Sequence, residues 1–144
     1  MTQPISTVPE PGTEFAGKDK RISLERLWTF SGGPFALEGW PKKNLHTDPD
    51  TAERVGLSAL AASATQLQGH IAELLLDLFG DEWLTNGTMD VKFIDITKDN
   101  DVSQVKAVFT ESTDEDGRQR LLFDVWCETQ DGRKTLVGTC TGLL

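Results

Sequence analysis

Residues 60–80, LAASATQLQGHIAELLLDLFG, carry the strongest pattern in the chain. Small residues come first, at Ala61, Ala62, Ser63 and Ala64. Leu67, Ile71, Leu74, Leu75 and Leu78 then recur at three- and four-residue intervals, the period of an α-helix. Gly80 supplies the stop. Nearly every turn is apolar or small, so the helix is expected to be buried on several sides. A helix of that kind needs a second layer to cover it.

The second layer is legible downstream. After Gly80 the period changes from helical to alternating. Val91 and Phe93 alternate with Asp90 and Lys92. Runs at Val102–Phe109 and Leu121–Thr129 follow, separated by the turn signal Asp114-Glu115-Asp116-Gly117. Gln130-Asp131-Gly132-Arg133 reads as a tight hairpin turn into Leu136–Thr141. These segments predict an antiparallel meander of about four strands.

Upstream, Ser23 opens a capping pattern, with Glu25 and Arg26 in the first turn and Leu24, Leu27 and Trp28 as the apolar face. That helix is expected to end at Gly32-Gly33-Pro34. Residues 34–48 read as a loop with Trp40-Pro41 at its centre. Asp48-Pro49 starts a short helix, as an N-cap aspartate before a proline at the first helical position, and the helix stops near Gly56. Residues 1–20 contain Pro4, Pro9 and Pro11 and read as an extended lead-in. The expected fold class is α+β: one domain over 1–144, with an antiparallel sheet wrapped around a long central helix.

The bulk properties exclude several functions. The chain has 144 residues, of which 38% are hydrophobic and 26% charged, a globular composition. Its net charge of −9 repels polyanions, so no nucleic-acid partner is expected. Lys18, Lys20 and Arg21, and separately Lys42 and Lys43, are local exceptions to that charge. No apolar run approaches the roughly 18 residues of a membrane span. No secretory pattern opens the chain. A cytoplasmic protein without membrane association is therefore expected.

If Asp131-Gly132 is the hairpin turn, Cys127 faces Leu136 and Cys140 faces Phe123, which disfavours a disulfide. His46 and His70 lack the closely spaced partners of a zinc site, so no metal is expected. His70 reads as a packed, hydrogen-bonded helix residue.

The chemistry concentrates in Asn44-Leu45-His46-Thr47-Asp48-Pro49-Asp50-Thr51-Ala52. This stretch resembles the motif D-x-N-P-[IL]-H-x-D-P of the MaoC-like proteins, which include (R)-specific enoyl-CoA hydratases and dehydratases. The family's next element, I-[AV]-H-G-M at the start of its central helix, aligns with Ala61–Thr65. Phe79-Gly80, Val91-Lys92-Phe93, Asp101-Val102, Gln130-Asp131-Gly132 and Gly138-Thr139 also look familial. The resemblance spans roughly residues 20–142, and its His-x-Asp-Pro core is its most specific part.

The resemblance implies a hotdog fold and a hydratase or dehydratase acting on an acyl thioester or related activated carbonyl. His46 matches the family's catalytic histidine, and imidazole suits proton transfer near neutrality. Asn44 is read as its orienting partner, or as a cap of the loop. The backbone at Ser63-Ala64 matches an oxyanion-binding turn, because free N–H groups at a helix N-terminus favour negative charge. Ser63 itself either donates to a substrate carbonyl or caps the helix. Trp40 and Trp28 are either core residues or walls of an acyl pocket. Lys42 and Lys43 are either a solvated loop face or phosphate contacts for a CoA or carrier-protein thioester. No separate cofactor is implied. A homodimer or higher homo-oligomer is expected, since such proteins commonly join sheets edge to edge.

The sequence departs from the family at two points, and at a third unless the loop is shorter. The family's catalytic aspartate falls on Pro41, and its His-Gly pair on the central helix becomes Ser63-Ala64. Asn44 stands at the family's proline, unless the loop is one residue shorter. Asp48 and Asp50 replace the aspartate only if the loop is rebuilt, and Asp48 is better explained as a cap. Two rivals therefore stand beside the hydratase: an isomerase or cyclase using a lone histidine, and a non-catalytic hotdog subunit that pairs with an active one.

Overall fold

The computed structural model describes residues 3–144. The 60–80 pattern becomes helix α3, Ala64–Phe79. Its stop is Gly80, at φ 70°, a conformation that costs glycine nothing. Before it lie α1 (Leu24–Ser31) and α2 (Pro49–Arg54). The side-chain oxygen of Ser23 accepts from the Arg26 amide at the start of α1, and Asp48 accepts from the Thr51 amide at the start of α2. A short helix, α4 (Trp83–Asn86), follows α3.

The sheet has six strands: β1 (Glu14–Ala16), β2 (Lys20–Arg21), β3 (Thr88–Phe93), β4 (Val102–Glu115), β5 (Arg118–Thr129) and β6 (Lys134–Leu143). All pairings are antiparallel, in the order β1-β4-β5-β6-β3, with β2 also on β4. Three expectations are corrected here. The meander comprises β4, β5 and β6 only, because β3 crosses to the far edge and pairs with β6. The lead-in is not merely extended, since residues 14–16 pair with 106–108 on β4. Strands are not confined to the chain after Gly80, because β1 and β2 precede α1. Strands this short lack room for an alternating pattern.

The hairpin turns are where the turn residues put them. Asp116 and Gly117 both have positive φ, 54° and 83°, which suits a two-residue hairpin between β4 and β5. Cys127 pairs with Leu136 and Cys140 with Phe123, and both thiols are free.

Alternate residues of β4 and β5 face α3. Val105, Ala107, Phe109, Leu121, Phe123 and Val125 pack with Leu67, Ile71, Leu74, Leu75 and Leu78. Phe123 is the hub, with edge-to-face contacts to Phe15, Phe79 and Phe109 at 5.6–5.9 Å between centroids. A smaller cluster of Ile22, Leu27, Ala52 and Leu60 sits beneath α1 and α2. Leu24, Leu57 and Ala62 pack against it, which joins α1 and α2 to the segment leading into α3.

Candidate functional site

The loop before α2 is held by its own polar side chains. The amides of Thr47 and Asp48 both donate to the Asn44 carbonyl, at 3.1 and 3.0 Å. The Asn44 side chain works in two directions. Its Oδ1 accepts from the His46 amide at 2.9 Å, and its Nδ2 donates to the Ser31 carbonyl, at the end of α1, at 2.9 Å. Thr47 is only 7% exposed. Its hydroxyl accepts from the Asn44 amide and donates to the Lys42 carbonyl. Trp28 Nε1 donates to the Thr47 carbonyl at 3.2 Å. The loop is thereby riveted to α1 at two points.

That bracing aims the imidazole. His46 Nδ1 lies 2.7 Å from the Ala61 carbonyl oxygen. A carbonyl only accepts, so in the neutral ring Nδ1 carries the hydrogen and Nε2 keeps its lone pair. Ala61 is itself fixed, since it bridges Lys98 and the next amide, Ala62, donates to the Thr97 carbonyl at 2.8 Å. Helix α3 begins three residues after Ala61. The ring therefore docks on the segment that leads into the amino end of the central helix.

At that end Ser63 occupies the N-cap position with extended backbone, yet its side chain does not cap. Its hydroxyl bonds the Thr65 hydroxyl at 2.8 Å instead. The amides of Ala64 and Thr65 have no acceptor among the described residues. They are the orphan donors that a helix start leaves, in the positive field of its dipole.

Among the described residues no carboxylate bonds to this group. Asp48 Oδ2 takes the Thr51 amide at 3.1 Å and its hydroxyl at 2.6 Å, and Lys43 Nζ lies 3.5 Å from Oδ1. Those Thr51 bonds, helped by Lys43, hold the Asp48 carboxyl below its ordinary range. Asp48 is an N-cap and ionised. Asp50 is exposed on α2, and Pro41 is exposed on the loop.

Two open clefts flank the loop, and Trp28 and Thr47 line both. One, of about 260 Å³, lies among Trp28, Pro34, Lys42, Lys43 and Thr47. The other, of about 330 Å³, lies between α1, Pro49, Leu60 and Asp99. Neither is lined by His46, Ser63 or Ala64. Trp40 is 63% exposed and lines neither cleft. The structure thus brings Lys42, Lys43 and Trp28 together, and separately His46 with the approach to Ser63 and Ala64. Sequence reasoning missed the Ala61 carbonyl, because a backbone acceptor carries no residue signature, and Thr47, whose hydroxyl bonds only backbone groups of its own loop. His70 also differs from expectation. It is packed, but its Nδ1 is buried without a hydrogen-bond partner among the described residues.

Among the described residues no group of three or more His, Cys, Asp or Glu is placed to hold a metal ion. No helix there is long and apolar enough to cross a membrane.

A six-stranded antiparallel sheet packed on one long helix, with these connections, is the hotdog fold, and the solved structures it matches include MaoC-like dehydratases and (R)-hydratases. The MaoC-like dehydratase from Rhodospirillum rubrum superposes with a TM-score of 0.73 at 16% identity, covering 94% of this chain and 92% of that one. The (R)-hydratase from A. caviae involved in PHA biosynthesis gives 0.69 at 15% identity, covering 94% and 97%. The HadBC (3R-hydroxyacyl-ACP dehydratase) complex from Mycobacterium tuberculosis gives 0.67 at 12% identity, covering 95% and 98%. At such identities the likeness is one of fold. No protein-family model matches the sequence, and no curated protein is matched.

Proposed function

We propose that the protein is a hydro-lyase that interconverts a 3-hydroxyacyl thioester, or a related activated carbonyl, with its α,β-unsaturated form. The observation that carries this reading is the 2.7 Å contact from His46 Nδ1 to the Ala61 carbonyl. It leaves Nε2 as a base on the loop that docks at the amino end of α3.

One histidine can serve both halves of the reaction. Nε2 takes the α-proton, and the electron pair moves onto the thioester oxygen. The Ala64 and Thr65 amides stabilise the charge there. The oxyanion collapses and expels the 3-hydroxyl. That hydroxyl takes the proton back from the imidazolium and leaves as water. Hydration is the reverse. The scheme needs no carboxylate, which suits a loop with proline at position 41 and an engaged Asp48. Asn44 and Thr47 position the loop. The Lys42–Lys43 pair beside Trp28 suits the phosphates of a CoA or carrier-protein thioester, with Trp40 on the same loop. Edge strand β3 is the natural seam for a homodimer.

A second reading is an isomerase or cyclase, favoured by the same lack of a second acid. The experiment is incubation with crotonyl-CoA in heavy water, following enoyl absorbance and α-deuterium together. Loss of absorbance, reduced about 10²–10⁴-fold in His46→Ala, supports the hydro-lyase. His46-dependent deuterium uptake at constant absorbance selects the isomerase. Neither signal from the unaltered protein would leave the non-catalytic subunit.

A further inference from the structure

We propose that the cleft of about 330 Å³ between α1 and the Lys98–Asp101 turn is a second binding site, for a small apolar ligand bearing a protonated amine. The volume lies at the small-molecule end of ligand pockets. Its apolar walls come from Leu24, Trp28, Pro49 and Leu60, and its polar end is Asp99 with Asn100. His46 is not part of it, so the site stands apart from the proton-transfer group.

The carboxylate sits on a braced platform. The Asp99 amide donates to the Leu60 carbonyl at 2.9 Å, and the Asn100 amide donates to the Ile22 carbonyl at 2.6 Å. The turn closes on itself, with the Asp101 amide on the Lys98 carbonyl and the Lys98 amide on Asp101 Oδ2. Asp99 therefore projects from backbone fixed on both sides.

Its carboxylate has no ion-pair partner among the described residues. No donor among the described residues bonds Asp99 Oδ1. Its acidic neighbours do pair. Asp95 and Asp101 are both held by Arg133, at 2.8 and 3.0 Å, and Asp48 by Lys43. The nearby guanidinium of Arg21 donates to the Asn100 side-chain oxygen at 3.1 Å, not to Asp99. Asp99 lines the cleft, and a ligand ammonium supplies both the hydrogen bond and the opposite charge that its carboxylate does not find among the described residues. Trp28 adds a fixed aromatic wall, since its Nε1 is committed to the Thr47 carbonyl, and an aromatic ring favours a cation. An anionic ligand would meet Asp99 on a chain of net charge −9.

The test is an NMR titration of the full chain with 2-phenylethylamine, alongside 2-phenylethanol and 3-phenylpropanoate as neutral and anionic counterparts. The amine should give saturable shifts at the Trp28 indole N–H and at the Leu60 and Asn100 amides. The alcohol should bind roughly tenfold more weakly or worse, and the carboxylate should leave these signals unmoved. Asp99→Asn keeps the shape and should lower the amine to the level of the alcohol, with alcohol binding unchanged. Ala59→Trp fills the cleft and should exclude both ligands while Asp99 remains. The proposal is overturned by equal binding of all three probes, by shifts located elsewhere, by no saturable amine shift, or by an Asp99→Asn protein that keeps its preference for the amine.

Discussion

Replacing Asn44 by alanine separates a positioning role from a chemical one. The side chain makes two hydrogen bonds, to the His46 amide and the Ser31 carbonyl, both at 2.9 Å. Each contributes about 0.5–1.5 kcal/mol net, so Asn44→Ala should cost about 1–3 kcal/mol. Half-buried partners with some access to water place the value toward the lower half of that range. In a chain of 144 residues a loss of 1 kcal/mol lowers Tm by about 3–4 °C, giving a fall of roughly 3–12 °C. The assay is thermal unfolding by circular dichroism, with the His46 amide followed by NMR. That amide should broaden or move, because its acceptor is gone. Asn44→Asp keeps the acceptor for His46 but sets a carboxylate against the Ser31 carbonyl, so it should be no better. An unchanged Tm and an unmoved His46 signal in Asn44→Ala would refute the positioning role.

Other substitutions probe the frame. A Cβ at Gly138 would lie 2.1 Å from the Asp90 carbonyl oxygen and 2.7 Å from Val91 Cα, both backbone atoms of β3. Gly138→Ala should therefore cost about 1–3 kcal/mol or more and expose the β3 amides to hydrogen exchange, whereas native protection there would contradict the packing. His70 is held below the ordinary histidine value of 6.5, chiefly by burial and next by Lys20, with Glu73 opposing. Its folded state prefers the neutral ring. Its contribution to stability is complete above pH 6.5 and declines as pH falls below that value. Urea unfolding on either side of that pH should show the decline, and His70→Gln should flatten it. Burial pushes both Cys127 and Cys140 up to about 12, so neither thiol should react with a disulfide reagent at mildly alkaline pH until the protein is unfolded. Rapid labelling of the native protein would count against a closed core at β5 and β6.

The elements whose cause is local were legible. Helix α3 follows from the spacing of Leu67, Ile71, Leu74, Leu75 and Leu78, and its end from Gly80. Asp48-Pro49 marks α2 because capping involves only the next three residues. The register across β5 and β6 follows from one turn, so the partners of Cys127 and Cys140 could be counted along the strands. The lead-in strand at residues 14–16 could not be read, because three residues show no period and its partner, β4, lies some 90 residues on. The same holds for β3. Its alternation marks a strand, but nothing local says that it pairs with β6 at the far edge.

The sequence by itself determined that the chain is α+β, where its long helix lies, and that His46 sits in a polar loop just ahead of a capped helix. Those features depend on periodicity, capping and turn chemistry within a few residues. Only the tertiary structure decided the strand order, the nitrogen at which His46 holds its proton, and the lack of an ion-pair partner for Asp99 among the described residues. Each depends on which distant backbone or side-chain group arrives within hydrogen-bond reach. The Ala61 carbonyl, 15 residues from His46, has no side-chain identity for a sequence to display.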